Sequence, residues 1–275
     1  MKKLKALGLA AMAAGMFSLT SCLDGGGNTQ SGSALGYATF NMDAGGIVVT
    51  DDFGSVVASS TFNTQLSGGE YVAYAYSVDW DSQTSNKYTV ATVSGINKFT
   101  EVYTQSSITD TTALLSNELP VQKLAVQMYS VDYAFTANNH IFMSVYHEDV
   151  PSDMKTQYEL SYDSSADPVI VGGKRVYDFY LRAMKIADGE KVKENVPFTN
   201  VYDLSQFLSR MRSVEKAAGN TSVNIRINYI NKLGDDYSSS KKEQSDVISC
   251  VDSDKCSTCI VSKIIFLDSV SELNL

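Results

Sequence analysis

Histidine is almost missing from this chain: His140 and His147 are the only two, and tryptophan occurs once, as Trp80. On a single strand, residues seven positions apart point to opposite faces, so the two histidines cannot jointly grip a metal ion. They are expected to be unrelated polar residues near strand ends. No G-x-S-x-G elbow prepares a serine nucleophile. Gly68-Gly69 and Gly172-Gly173-Lys174 are too short to cradle a phosphate and read as turns. Lysine and arginine number 22 against 31 aspartates and glutamates. That balance argues against nucleic acid or an anionic lipid surface as a partner, because both require clustered positive charge. Four prolines and 18 glycines are too few for a low-complexity or collagen-like chain. The expectation is a protein with no catalytic residue, no metal and no cofactor.

The first 22 residues carry the clearest positive signal. Lys2, Lys3 and Lys5 precede an apolar run from Ala6 to Phe17, long enough for a signal-peptide core and too short to span a bilayer. The run closes on Leu19-Thr20-Ser21-Cys22, the pattern of a bacterial lipobox. Small residues there admit the signal peptidase, and the Cys22 thiol takes diacylglycerol through a thioether to become the mature N-terminus. No later apolar run reaches the ~18 residues that a transmembrane helix needs. The expected contact with the membrane is therefore the lipid alone, and the three acyl chains usual at such a cysteine anchor firmly. Removing residues 1–21 takes away three lysines and no acid, leaving 254 residues and moving the net charge from −9 to −12. That length suffices for one large or two small domains.

Sixteen tyrosines and eleven phenylalanines, with abundant Val, Thr and Ser, favour strands over helices. After the signal peptide (1–21), residues 22–36 hold five glycines and no aromatic and read as a flexible tether. Five or six short strands separated by turn signals fill 37–104, compact enough for a small β-barrel. Residues 105–119 are Ser/Thr-rich and read as a linker. The span 120–232 reads as an antiparallel β-sandwich. Within it, Val223, Ile225, Ile227 and Tyr229 alternate onto one strand face, and Leu204, Phe207, Leu208 and Met211 follow the i, i+3, i+4, i+7 spacing of a short amphipathic helix.

Residues 233–275 form a tail containing Cys250, Cys256 and Cys259, spaced C-x5-C-x2-C. In an exported chain an oxidised pair is the simplest expectation. Either Cys250–Cys256 or Cys250–Cys259 would close a small loop and leave one thiol over. Cys256 and Cys259 have redox C-x-x-C spacing without a thioredoxin-like βαβ setting. A zinc site ranks below free thiols, since there is no second C-x-x-C and no histidine nearby.

Three stretches give the chain a family resemblance: IVVTDDFGSVV (Ile47 to Val57), GEYVAYAYSVDWDSQTSNKYTVATVSGINKF (Gly69 to Phe99), and the C-terminal set HIFMSVYHED, VYDFYLRAMKIADGE, TNVYDLSQFL and TSVNIRINYI. With the lipobox and short linker, they resemble the NigD-like lipoproteins of Bacteroidetes over about residues 1–232. The family's Trp-Pro after the first hairpin is replaced here by Ala58-Ser59-Ser60. The resemblance implies a mainly β fold, with an OB-like N-terminal barrel followed by an Ig-like sandwich, and an address at the outer membrane. It leaves open whether the protein sits on the periplasmic face or the cell surface. Hairpin loops of an OB-like barrel flank its ligand face, which makes Tyr71, Tyr74, Tyr76 and Trp80 the candidate ligand contacts. Asp79-Trp80-Asp81 itself reads as a hairpin tip rather than a catalytic acid pair.

The function expected is therefore non-enzymatic: a lipid-anchored binding or shielding module whose ligand is an unknown protein or glycan. Two alternatives stand beside it, a bacteriocin immunity protein and a glycan-binding component of a polysaccharide-use system. The lipobox makes the first testable statement. Cys22→Ala should move the protein from the membrane pellet to the soluble fraction and abolish incorporation of labelled fatty acid. Variant protein remaining in the washed pellet would contradict the anchor.

Overall fold

The computed structural model describes residues 28–51, 54–108, 116–126, 136–195, 197–220, 222–232, 246–250 and 258–267. The signal peptide, Cys22 and Cys256 lie outside the described residues. The chain divides into two compact units, Met1–Glu101 and Val102–Leu275.

In the first unit, strands β1 (Thr29–Asn41), β2 (Gly46–Asp51), β3 (Val56–Ala58), β4 (Tyr71–Asp79), β5 (Thr89–Val90) and β6 (Thr92–Lys98) form one sheet in the order β5-β3-β2-β1-β4-β6. β5 and β6 stand at opposite edges of that order, yet only Ala91 separates them along the chain. The sheet must curl until its edges approach, which gives the OB-like half-barrel expected from the sequence. Ala91 N–H donates to Ala58 O at 2.9 Å, extending the β3–β5 ladder to the point where the chain crosses to β6. Ala34, Ala38, Val49, Val72, Tyr74 and Val78 fill the inside. A helix over Ser60–Gln65, where no helix was expected, plugs the barrel with the fully buried Phe62, whose ring meets Tyr74 edge-on at 5.3 Å. Ser59 starts it by accepting the Thr61 N–H on its side chain. Asn63 of that helix accepts Ile47 N–H at 2.6 Å and lies so close to Gly46 that a Cβ there would sit 2.2 Å from Asn63 Oδ1.

The flexible tether expected over 22–36 gives way to strand at Thr29. Residues 29–37 pair antiparallel with β4, from Thr29↔Asp79 to Tyr37↔Tyr71, and this ladder buries Ala34 and Leu35. Small and polar residues here are strand residues because β4 supplies their hydrogen-bond partners.

The division between the units falls inside β7 (Thr100–Gln105). There follow β8 (Lys123–Val126), β9 (Thr136–Ala137), β10 (His140–Tyr146), β11 (Val150–Pro151), β12 (Lys155–Tyr162), β13 (Val169–Val171), β14 (Lys174–Ala187), β15 (Lys193–Glu194), β16 (Pro197–Asp203), a helix (Ser205–Ala217), β17 (Val223–Lys232), β18 (Asp246–Cys250) and β19 (Thr258–Leu267). The main sheet runs β18-β19-β17-β14-β12-β7-β16-β10-β8. One core draws residues from strands well apart in this order: Ile141 and Met143 of β10, Leu160 of β12, Phe179 and Leu181 of β14, and Ile225 and Ile227 of β17. That is the sandwich arrangement, a sheet folded over a single apolar layer.

One expectation for this unit changes. The sheet is mixed rather than antiparallel, because β14 and β17 run parallel, as do β7 and β12. The chain between β14 and β17 passes through β16 and the Ser205–Ala217 helix, long enough for the crossover that parallel strands require. In the tail, Ile260 to Leu267 reads from the sequence as a strand or an exposed apolar segment, and it is strand: β19 pairs with β17 over ten residues, from Val223↔Leu267 to Lys232↔Thr258, and β18 adds to its far side.

The helix lies where its periodicity placed it. Leu204, Phe207, Leu208 and Met211 enter the core, and the Phe207 ring meets Tyr162, Tyr177 and Phe179 with centroids 5.2, 5.3 and 4.8 Å away, all steeply inclined. Asp203 Oδ1 accepts Ser205 N–H at 2.7 Å at the helix start. Near its end, Glu215 is buried and receives Tyr177 O–H at 2.5 Å, Arg175 Nε at 2.9 Å and Asn220 Nδ2 at 2.6 Å. Burial pushes the Glu215 carboxyl up, but these three donors outweigh it and hold it below the ordinary glutamate value.

Arg182 is the largest fully buried side chain, on the β14 face opposite Phe179 and Leu181. Its guanidinium donates bidentately to Glu118, Nε to Oε1 at 2.9 Å and Nη2 to Oε2 at 2.5 Å, with both side chains 2% exposed. Further along the same ladder, Arg226 Nε and Nη2 of β17 donate to Asp178 of β14 at 2.6 and 2.7 Å, and Asn228 Nδ2 adds 2.9 Å to Asp178 Oδ1. His147 is held between Pro120 O (2.8 Å from Nδ1) and Tyr158 Oη (3.0 Å from Nε2). Burial lowers its pKa, the Pro120 contact opposing this in part, so folding favours the neutral ring.

Arg182→Leu leaves the Glu118 charge buried without its guanidinium and should cost about 3–5 kcal/mol in urea unfolding. Adding Glu118→Leu should restore most of it, whereas a double variant as unstable as the single would contradict the account. For His147, the folded state binds its proton less readily than the unfolded chain. Its contribution is complete above the unfolded value near 6.5 and is lost as pH falls through the lower folded value. In NMR the His147 ring resonances should titrate with a midpoint below 6.5, and a midpoint at or above 6.5 would contradict this burial.

Candidate functional site

The Asp79-Trp80-Asp81 turn is built from its backbone outward. Asp79 ends β4, and its carboxylate accepts Asp81 N–H at 3.1 Å, capping a single 3-10 turn over Trp80–Ser82. Ser82 Oγ and Gln83 Nε2 donate to Asp79 O at 3.0 and 2.7 Å. Gln83 then closes the following loop, giving its second N–H to Val90 O at 3.1 Å and accepting Val90 N–H at 2.8 Å. The two aspartates stand at a hairpin tip, as the sequence indicated, and Asp79 is a cap.

Trp80 is fixed at both ends within this frame. Its backbone N–H donates to Asn28 O at 2.9 Å, and its indole Nε1 donates to Gln30 Oε1 at 3.2 Å. The ring nevertheless stays 42% exposed. A large planar surface is thus held in one orientation with its polar edge already satisfied, which lowers the entropy cost of stacking a ligand on it.

The other aromatic candidates do not join Trp80. Tyr71 is buried, and its ring lies 4.8 Å from Tyr37, the residue directly across the ladder. Tyr74 is fully buried in the barrel core. Tyr76 packs half-buried against that core, 5.7 Å from Tyr74, with its ring over Gly32 of β1, where an added Cβ would lie 3.2 Å from the hydroxyl. Period-two alternation explains the division, since Tyr74 and Tyr76 share one face of β4 and Tyr71 takes the other. Of the four candidates, Trp80 is the one that offers an open ring.

The histidines sit apart. His140, at the start of β10, directs Nδ1 to Asn138 O at 2.6 Å and Nε2 toward Asp203 Oδ1 at 3.6 Å, while His147 follows the end of the same strand with the partners given above. Both are buried near strand ends. Cys250 and Cys259 occupy backbone positions in β18 and β19. Sequence reasoning missed the role of Glu118, Arg182 and Glu215, because burial of a charged side chain has no local signal. Among the described residues, no helix is long and apolar enough to cross a membrane.

No protein-family model and no curated protein matches the sequence. Solved structures do resemble the fold. An uncharacterized protein from Parabacteroides merdae superposes with a TM-score of 0.66 at 22% identity, covering 87% of this chain and 99% of that one. A candidate lipoprotein from Bacteroides fragilis gives 0.54 at 17% identity, covering 87% and 98%. A NigD-like immunity protein from Bacteroides caccae gives 0.41 at 12% identity, covering 76% and 89%. The first two share this fold over nearly their whole length, and the chain has the two-unit, mainly β architecture that the sequence resemblance implied.

Proposed function

We propose that this protein is a NigD-like lipoprotein, held at the outer membrane by a lipid on Cys22, that acts by binding a protein or glycan ligand rather than by catalysis. The observation that carries this reading is the fixed, open indole of Trp80. Acidic and basic side chains at Glu118, Arg182, Asp178, Arg226, Arg175 and Glu215 are engaged in holding the second unit together. Trp80 by contrast presents its surface outward on a rigid turn, and tryptophan is the side chain most enriched where binding energy concentrates. The lipobox and the fold likeness to the candidate lipoprotein of Bacteroides fragilis support the envelope address.

Because Trp80 is the single tryptophan, emission excited beyond the tyrosine absorption band reports on this surface alone. Soluble Cys22→Ala protein should bind a ligand on a glycan array or from a panel of purified envelope and bacteriocin proteins, with a change in Trp80 emission. Trp80→Ala should weaken that binding roughly tenfold or more, about 1.4 kcal/mol, without lowering thermal stability by more than a few degrees. Binding of equal strength by the variant would overturn the role given to Trp80.

A further inference from the structure

The two strands after residue 245 bring two of the three tail cysteines to one rung of a ladder. β18 and β19 pair antiparallel without irregularity from Asp246↔Lys263 through Val247↔Ser262, Ile248↔Val261 and Ser249↔Ile260 to Cys250↔Cys259. We propose that Cys250 and Cys259 form a disulfide that staples the edge strand β18 to β19.

The register supplies the geometry. Directly opposed residues of an antiparallel pair have Cα atoms about 4.5 Å apart at non-hydrogen-bonded positions and about 5.5 Å at hydrogen-bonded ones. Disulfides span roughly 4.4–6.8 Å between Cα atoms, so the Cα separation of either type of rung falls within the reach of the bond. The topology supplies the reason for a staple. β19 is held on its other side by ten residue pairs with β17, whereas among the described residues β18 lies at the sheet edge with five pairs on one side. A cross-link at the last rung, where the chain leaves β18 and returns as β19, restrains the strand with fewest partners. Cys256, three residues before Cys259, is left as the single thiol.

Formation is a two-electron oxidation. The Cys250 and Cys259 thiols lose two protons and two electrons as the S–S bond forms, and an envelope protein disulfide of the thiol-oxidoreductase class takes them up to become a dithiol. The inference thus rests on the export reading for the oxidant, and on the strand register for the pairing.

Trypsin separates the alternatives, because cleavage after Lys242, Lys255 and Lys263 puts Cys250 in peptide 243–255 and both other cysteines in peptide 256–263. Full-length protein from the envelope fraction is trapped with iodoacetamide under denaturing conditions without reductant, digested and sequenced by mass spectrometry. Peptides 243–255 and 256–263 should be found linked, with a single carbamidomethyl group on Cys256, and should separate on reduction. The alkyl group on Cys259 or a bond inside peptide 256–263 would each overturn the pairing, as would three alkylated cysteines both in envelope protein and after equilibration with oxidised glutathione. The same mapping after equilibration with oxidised glutathione separates the two premises. A Cys250–Cys259 bond seen there but not in envelope protein would overturn the oxidising address and leave the pairing standing.

Discussion

Burying a guanidinium is the demand around which the second unit is organised. Arg182 sits in the middle of β14, a strand with partners on both sides, and a charge in that position is tolerable only beside an opposite charge with its hydrogen bonds filled. Glu118 meets the demand from a segment far away in sequence. To bring it there, the chain lies along β14: Glu118 bridges Met184, Leu119 N–H donates to Ala183 O at 2.7 Å, and Lys185 N–H donates to Asn117 O at 2.8 Å. Residues Asn117 to Leu119 are thus fixed against β14. Asp178 and Arg226 repeat the device between β14 and β17, and Glu215 repeats it between β14 and the helix.

The other buried and half-buried charges are used in the same way. Glu215 takes donors from three residues, and Asp178 takes them from Arg226 and Asn228. Ion pairs that join strands to one another hold the second unit in one arrangement. In the first unit a cap, the backbone acceptor Asn28 O, the side-chain acceptor Gln30 Oε1 and the Gln83 loop closure orient the one exposed ring of Trp80.

Elements with a strong local period were legible in the sequence. The face of β17 bearing Val223, Ile225, Ile227 and Tyr229 and the helix face bearing Phe207, Leu208 and Met211 lie in the core as their spacing required. The hairpin tip at Asp79-Trp80-Asp81 was legible through its capping residues. What escaped was set by partners distant in sequence. Thr29 to Gly36 looks like a tether until β4 lies beside it, and the tail strands look isolated until β17 presents an edge. The short Ser60–Gln65 helix escaped because one turn-capping serine is a weak signal beside strand-forming neighbours. The grouping of Tyr71 with Tyr74 and Tyr76 overlooked strand parity, which sends Tyr71 to the opposite face.

The claim that charge holds this scaffold together is tested most directly by native-state hydrogen exchange followed residue by residue. Amides of Phe179 to Lys185 should be among the last to exchange, and Leu119 should be protected along with them, since its N–H is bonded to β14 beside the Glu118–Arg182 pair. Rapid exchange at Leu119 while β14 stays protected would show that the segment carrying Glu118 is only loosely laid on the sheet, and would contradict the account.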